Sequence, residues 1–114
     1  MVPQRLELKT VTKAPKPEMN KTEQRYSALL ETMYCGGKIK GYGFQRYTFR
    51  LAHDLRYTPD FHVVTLDDVL ELHEVKGGFI REDAKMKFKL ASEMFPHRFK
   101  LCVWDKGQWT ITEA

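Results

Sequence analysis

Long apolar runs are missing from this chain. No stretch approaches the roughly 20 residues that span a bilayer, and the first residues lack the apolar segment of a secretory signal. A cytoplasmic protein is therefore expected. Cysteine is scarce: Cys35 and Cys102 are the two, without CxxC spacing, and a reducing compartment would keep both as thiols. They read as ordinary buried or half-buried residues. The histidines, His53, His62, His73 and His97, lack metal-finger spacing. There is no Gly-rich phosphate loop, Ser/His/Asp set or Cys nucleophile, so those chemistries have no residues to work with. Internal repeats, low-complexity tracts and an internal domain boundary are also missing. With 114 residues the chain makes one domain with a modest core. That is small for an enzyme that must grip a large substrate, and oligomerisation would help it do so.

Charge is what the sequence does have. The net charge is +4, which suits a polyanionic partner without requiring one. Its distribution says more: Lys85, Lys87, Lys89, Arg98 and Lys100 crowd one segment, and Arg46, Arg50 and Arg56 another. Such residues contact phosphates without reading base sequence.

Residues 1–19 carry Pro3, Pro15 and Pro17 among lysines and read as a flexible basic arm. Arg5 to Thr12 alternates weakly and could instead add a strand, against another subunit for instance. Asn20, with Glu23 three residues on, resembles a capping box and opens a helix. Its apolar face carries Tyr26, Leu29, Leu30, Met33 and Tyr34, and Gly36-Gly37 ends it. Strands are expected over Lys38–Ala52, starting after the Gly41–Gly43 bend, over Arg56–Thr65 and over Val69–Lys76. A second helix runs from Arg81 to Phe95, stopped by Pro96. Its expected apolar arc is Ala84, Met86, Phe88, Leu90, Ala91, Met94 and Phe95. Phe99–Trp104 and Gln108–Thr112 make a closing hairpin. The order is α-β-β-β-α-β-β, an α/β chain.

Within it stands Pro59-Asp60, then thirteen residues, then Glu74-Val75-Lys76. Residues two apart on a strand share a face, so Glu74 and Lys76 lie together and His73 and Val75 lie opposite. A metal nuclease needs acidic ligands for a hard cation, a water activated by that cation and positive charge at the phosphorus transition state. Asp60 and Glu74 suit the first need, with the backbone carbonyl of Val75. Lys76 suits the others. Glu23 reads equally as a helix cap and as a further metal-site carboxylate, and the two roles are compatible. Lys87 falls inside the apolar arc of the second helix. It is either a snorkelling lysine paired with Asp83 or a lysine aimed at the site, where it would meet a phosphate. His62 shares the Asp60 face of a regular strand and is a candidate to support that ligand.

The stretches Asn20-Lys21-Thr22-Glu23, Arg56 to Phe61, His73 to Gly77, and Glu82-Asp83 followed by Lys85 to Ala91 resemble the PD-(D/E)xK, restriction-endonuclease-like nuclease superfamily. The resemblance covers nearly everything from Asn20 onward, and is closest to a small phage and prophage family similar to junction-resolving endonucleases. It implies a restriction-endonuclease-like α-β-β-β-α-β(-β) core, a mixed central sheet flanked by helices, over residues 20–114. It implies metal ligation by Asp60 and Glu74, Lys76 as the catalytic lysine and Glu23 as the helix-borne acid. Mg²⁺ is the expected cofactor, with Mn²⁺ able to substitute. The expected function is endonuclease cleavage of branched DNA by a homodimer in phage recombination or replication, inside a bacterial host cell. Lys85, Lys87, Lys89, Arg46, Arg50 and Arg56 are the expected DNA contacts. Two rivals stand beside it: an end-processing or restriction-type nuclease, and a nuclease fold that only binds nucleic acid. Intact Asp60, Glu74 and Lys76 speak against the last, because carboxylates repel phosphate unless a metal intervenes.

Overall fold

A computed structural model describes residues 6–8 and 18–114 of the chain. Its elements are β1 (Leu6–Leu8), α1 (Lys21–Cys35), β2 (Ile39–Phe44), β3 (Tyr47–Ala52), β4 (Leu55–Tyr57), β5 (Phe61–Thr65), β6 (Leu70–Lys76), α2 (Glu82–Met94), β7 (Arg98–Asp105) and β8 (Gln108–Glu113). Among the described residues they build an α/β fold with two sheets. One is five-stranded, in the order β2-β5-β6-β7-β8, and the other is three-stranded, β1-β3-β4. The larger sheet is mixed: β6 and β7 run parallel, and its other neighbours pair antiparallel. No helix among the described residues is long and apolar enough to cross a membrane.

The expected strands over 38–52 and 56–65 are each divided in two. The first breaks at Gln45, which takes a positive φ of 49°; a non-glycine residue there interrupts the extended path. The second breaks at Thr58-Pro59-Asp60, where proline has no N–H to continue a ladder. Between these breaks the chain leaves the large sheet, makes the β3–β4 hairpin and returns. Of the expected arm, Leu6–Leu8 pairs antiparallel with β3 of the same chain; the rest of residues 1–17 lies outside the described residues.

The capping box forms as the sequence suggests. Asn20 Oδ1 accepts the Glu23 N–H at 2.8 Å, and Glu23 Oε1 accepts the Asn20 N–H at 3.0 Å. Tyr26 and Leu30, one turn apart, then seat α1 on the large sheet with Ile39, Phe61, Val63, Val75 and Cys102. Asn20→Ala should destabilise the protein by about 1 kcal/mol in denaturant titration, with α1 still formed.

The opposite face of the sheet packs on the hairpin and α2, through Phe49, Leu51, Tyr57, Leu72, Phe88, Ala91, Phe95 and Phe99. Burying the leucines and phenylalanines among them supplies about 1.5–3 kcal/mol each. The apolar stripe of α2 is narrower than expected. Phe88, Ala91 and Phe95 carry the contact, while Met86 is 66% exposed and Leu90 lies at the surface. β6, between the two layers, is buried from Glu71 to Val75. Its alternation sends Val75 into the cluster under α1 and Leu72 into the cluster under the hairpin.

Candidate functional site

Three elements meet at the C-terminal end of β6. The first is the chain re-entering the large sheet at Asp60, immediately before β5. Asp60 is buried, and its Oδ2 accepts the Val75 N–H at 2.8 Å, so the carboxylate is tied across to the neighbouring strand. The second is β6 itself. Glu74 is buried, its Oε1 accepting from Tyr57 Oη at 2.6 Å and its Oε2 lying 3.2 Å from Lys76 Nζ. The third is the N-terminus of α1, which brings buried Glu23. Gly77 permits that approach: a Cβ there would stand 2.8 Å from Thr22 Oγ1.

Electrostatics binds these groups into one site. Burial, and then the Glu74 carboxylate, push Asp60 up to about 8; Glu23 adds to the rise, while the Val75 N–H and the Lys76 ammonium oppose it. Burial alone would lower Lys76, but the carboxylates of Glu74, Asp60 and Glu23 outweigh it and hold the ammonium above its ordinary range. Tyr57 is raised well above the usual phenol, by burial and then by Glu74, so it remains a neutral donor. Two carboxylates thus sit in low dielectric with one ammonium beside them. No three of the described His, Cys, Asp and Glu side chains converge as a ready-made ligand set. Asp60 and Glu74 form the pair, and Glu23 is turned onto the Asn20 backbone.

The remaining sequence candidates divide. Arg50 and Arg56 face each other across the β3–β4 ladder and are exposed, as is Arg46 at the turn into β3. Lys85 and Lys89 are exposed on α2, and Lys87 is half-buried. Its expected partner Asp83 lies 3.6 Å from Arg81 instead. Arg98 and Lys100 do not join a surface with α2, because they lie 3.7 and 3.3 Å from buried Glu71. His62 packs its ring edge-on against Tyr47, with centroids 4.9 Å apart, and its Nδ1 is buried without a hydrogen-bond partner. Burial, and then Arg46, lower its pKa. Its contacts place it between the hairpin and Gly43, where a Cβ would come within 2.4 Å of its Cε1.

Sequence reasoning missed two features. Tyr57 was readable only as a strand aromatic, and its hydroxyl holds Glu74. The second is a polar chain on the other face of β6. Cys102 Sγ lies 3.2 Å from Tyr26 Oη, which is 2.5 Å from His73 Nδ1, and His73 Nε2 is 2.9 Å from Glu71 Oε1. A neutral imidazole with its proton on Nε2 satisfies every link, with the thiol donating to the phenol, the phenol to the ring and the ring to the carboxylate. The His73 hydrogen bond, followed by Lys100, holds Glu71 below the usual carboxylate range despite burial. The Glu71-x-His73 spacing was the available signal, since it puts both on one strand face. Trp109 packs edge-on against Tyr26, with centroids 4.9 Å apart, and Arg25 lies 4.4 Å above the Trp104 ring.

Comparison with family models, curated proteins and solved structures finds no match.

Proposed function

We propose that the chain is a metal-dependent endonuclease of the PD-(D/E)xK kind that hydrolyses DNA phosphodiester bonds, working as a homodimer on branched duplex. The observation that carries this reading is the approach of Asp60 to Glu74 and Lys76. Residues from the hairpin's return and from β6 bring two buried carboxylates together with the half-buried ammonium of Lys76. A purely structural cluster gains little from a carboxyl that burial and a like charge push up to about 8.

The donor set fits a hard divalent cation. Mg²⁺ is commonly held by one or two carboxylates together with waters and substrate phosphate oxygens, so Asp60 and Glu74 suffice. Glu23 can join them by releasing the Asn20 N–H. Bound Mg²⁺, or Mn²⁺ in its place, would supply Lewis acidity and a water of lowered pKa. Lys76, held charged by its three acidic neighbours, is suited to orient the attacking water or to offset charge growing at phosphorus. Tyr57 fixes the Glu74 carboxylate in position. Arg46, Arg50 and Arg56 on the hairpin side and Lys85 and Lys89 on α2 supply sequence-independent contacts to phosphates.

The test is Mg²⁺-dependent cleavage of a four-way junction, a flap and a linear duplex of matching sequence, by wild type, Asp60→Ala and Lys76→Ala. The junction should be cut, and each variant should lose at least about 10²–10³-fold in rate. Preference for the linear duplex would favour the end-processing or restriction-type enzyme. Unchanged cleavage by Asp60→Ala would remove the site. DNA binding without cleavage in Mg²⁺ or Mn²⁺ would leave a binding module.

A further inference from the structure

Three residues beyond Lys76 stands Phe79, with 84% of its surface exposed. A phenylalanine in water forgoes the burial that would otherwise stabilise the fold. The backbone is shaped to keep it there. Gly77 lies against Thr22, where a Cβ would stand 2.8 Å from Oγ1, and Gly78 then takes a φ of 104°, which a residue with a side chain rarely adopts. The chain therefore leaves β6 beside the first turn of α1 and turns at Gly78.

The neighbouring chain is polar except for half-buried Ile80. Gly77, Gly78, Arg81 and Glu82 are exposed around Phe79 in the chain, and the Arg81 side chain is 80% exposed. A single exposed ring, followed in the chain by Arg81, which is ion-paired with Asp83, and by Glu82, is not the contiguous apolar patch that protein partners use. It offers an aromatic platform of the kind on which proteins stack unpaired nucleobases, and the exposed lysines Lys85 and Lys89 follow on α2. Three residues of chain reach roughly 10 Å at most, which puts the Phe79 backbone within about three base steps of the Lys76 backbone.

We infer that Phe79 stacks on an unpaired or splayed nucleobase at the branch of the DNA substrate and so selects branched over linear duplex at the Asp60–Glu74–Lys76 site. This rests on the nuclease reading for its catalytic consequence, but its binding consequence can be measured separately. A continuous duplex keeps its bases stacked on one another, whereas a junction or flap exposes a base face at the discontinuity.

The experiment uses the full chain in Ca²⁺, with a four-way junction, a flap and a linear duplex that carry 2-aminopurine at the branch or the equivalent duplex position. Wild type should change 2-aminopurine fluorescence on the branched substrates only. Phe79→Ala and Phe79→Leu should abolish that change and weaken branched-DNA binding by about tenfold, the scale of one base–aromatic stack. Their affinity for linear duplex should be unchanged, and Phe79→Trp should behave as wild type. Equal binding of the junction by Phe79→Ala and wild type overturns the inference. So does an equal loss on linear and branched DNA, or no DNA binding by wild type. A shift of Phe79→Ala from dimer to monomer in sedimentation also overturns it, because the ring would then be an interface residue. If wild type shows the Phe79-dependent signal yet never cuts DNA in Mg²⁺ or Mn²⁺, the nuclease reading fails and the stacking stands. If wild type cuts branched DNA and Phe79→Ala binds it equally well, the reverse holds.

Discussion

Asp60→Asn should melt higher than wild type at pH 8 while losing cleavage. Asparagine keeps an acceptor for the Val75 N–H, which Asp60 Oδ2 binds at 2.8 Å, and removes the charge that burial and Glu74 disfavour. In the folded protein Asp60 is pushed up to about 8 from an ordinary value of 3.8. The folded state therefore retains a proton that the unfolded chain has released once pH exceeds about 4. Stability falls as pH rises through the window from about 4 to 8 and stays low above it. Each unit corresponds to about 1.4 kcal/mol, so about 6 kcal/mol is a ceiling. A gain well below that ceiling, about 2 kcal/mol or roughly 5–10 °C in melting temperature, is expected for the variant. The difference should shrink at pH 5. Mg²⁺ should raise the wild-type melting temperature at pH 8 and leave Asp60→Asn nearly unmoved. Asp60→Ala should behave differently, because it strands the buried Val75 N–H at a cost of about 1–3 kcal/mol. Thermal scans at both pH values, with and without Mg²⁺, check all of this; a variant no more stable than wild type at pH 8 would show that Asp60 is not strained.

His73→Ala should be the most destabilising change on the other face of β6, costing about 3–5 kcal/mol in denaturant titration. It removes the partner of both Glu71 Oε1 and Tyr26 Oη in one step. Glu71 is then a buried carboxylate facing only the longer contacts to Lys100 and Arg98, at 3.3 and 3.7 Å. Stranding one member of a buried charged network carries a penalty of this size. Tyr26→Phe should cost only about 1 kcal/mol, since it keeps the ring contacts with Phe61 and Trp109 and loses a hydroxyl. A His73→Ala loss below 1 kcal/mol would show that water enters and replaces the ring. Glu71 also sets the acid limb of stability. Its depressed pKa contributes stability above the unfolded value near 4.5, and that contribution is lost as pH falls. Asp60 and Glu71 thus push in opposite directions on either side of about pH 4.

The helices were legible because their signals are local. Asn20 and Glu23 lie one turn apart, so the capping box could be read from spacing alone. The alternation of β6 likewise separated Glu74 and Lys76 from His73 before any fold was known. The division of the strands was less legible. Gln45 carries no composition signal for a positive φ, and Pro59 could be read as an edge or bulge as readily as a crossing between sheets. That crossing is a long-range event, decided by where Phe49, Leu51 and Tyr57 find their layer. The same limit hid the tie between Tyr57 and Glu74, which are seventeen residues apart. The basic segment divided for a related reason: Arg98 and Lys100 are close to Lys89 in sequence, but strand pairing carries them to Glu71 on the other side of the sheet.

The β3–β4 excursion begins and ends at one point, because the Gln45 N–H donates to the Asp60 carbonyl at 2.8 Å. Its tip, His53-Asp54, is over nine-tenths exposed at both side chains. For protein engineering this is a module with a closed base. A reporter or second domain spliced at the tip lengthens a loop whose ends are already joined, and loop-closure entropy grows only slowly with length. A polar tie that such a graft must respect is Tyr57, which reaches from the module's return strand to Glu74.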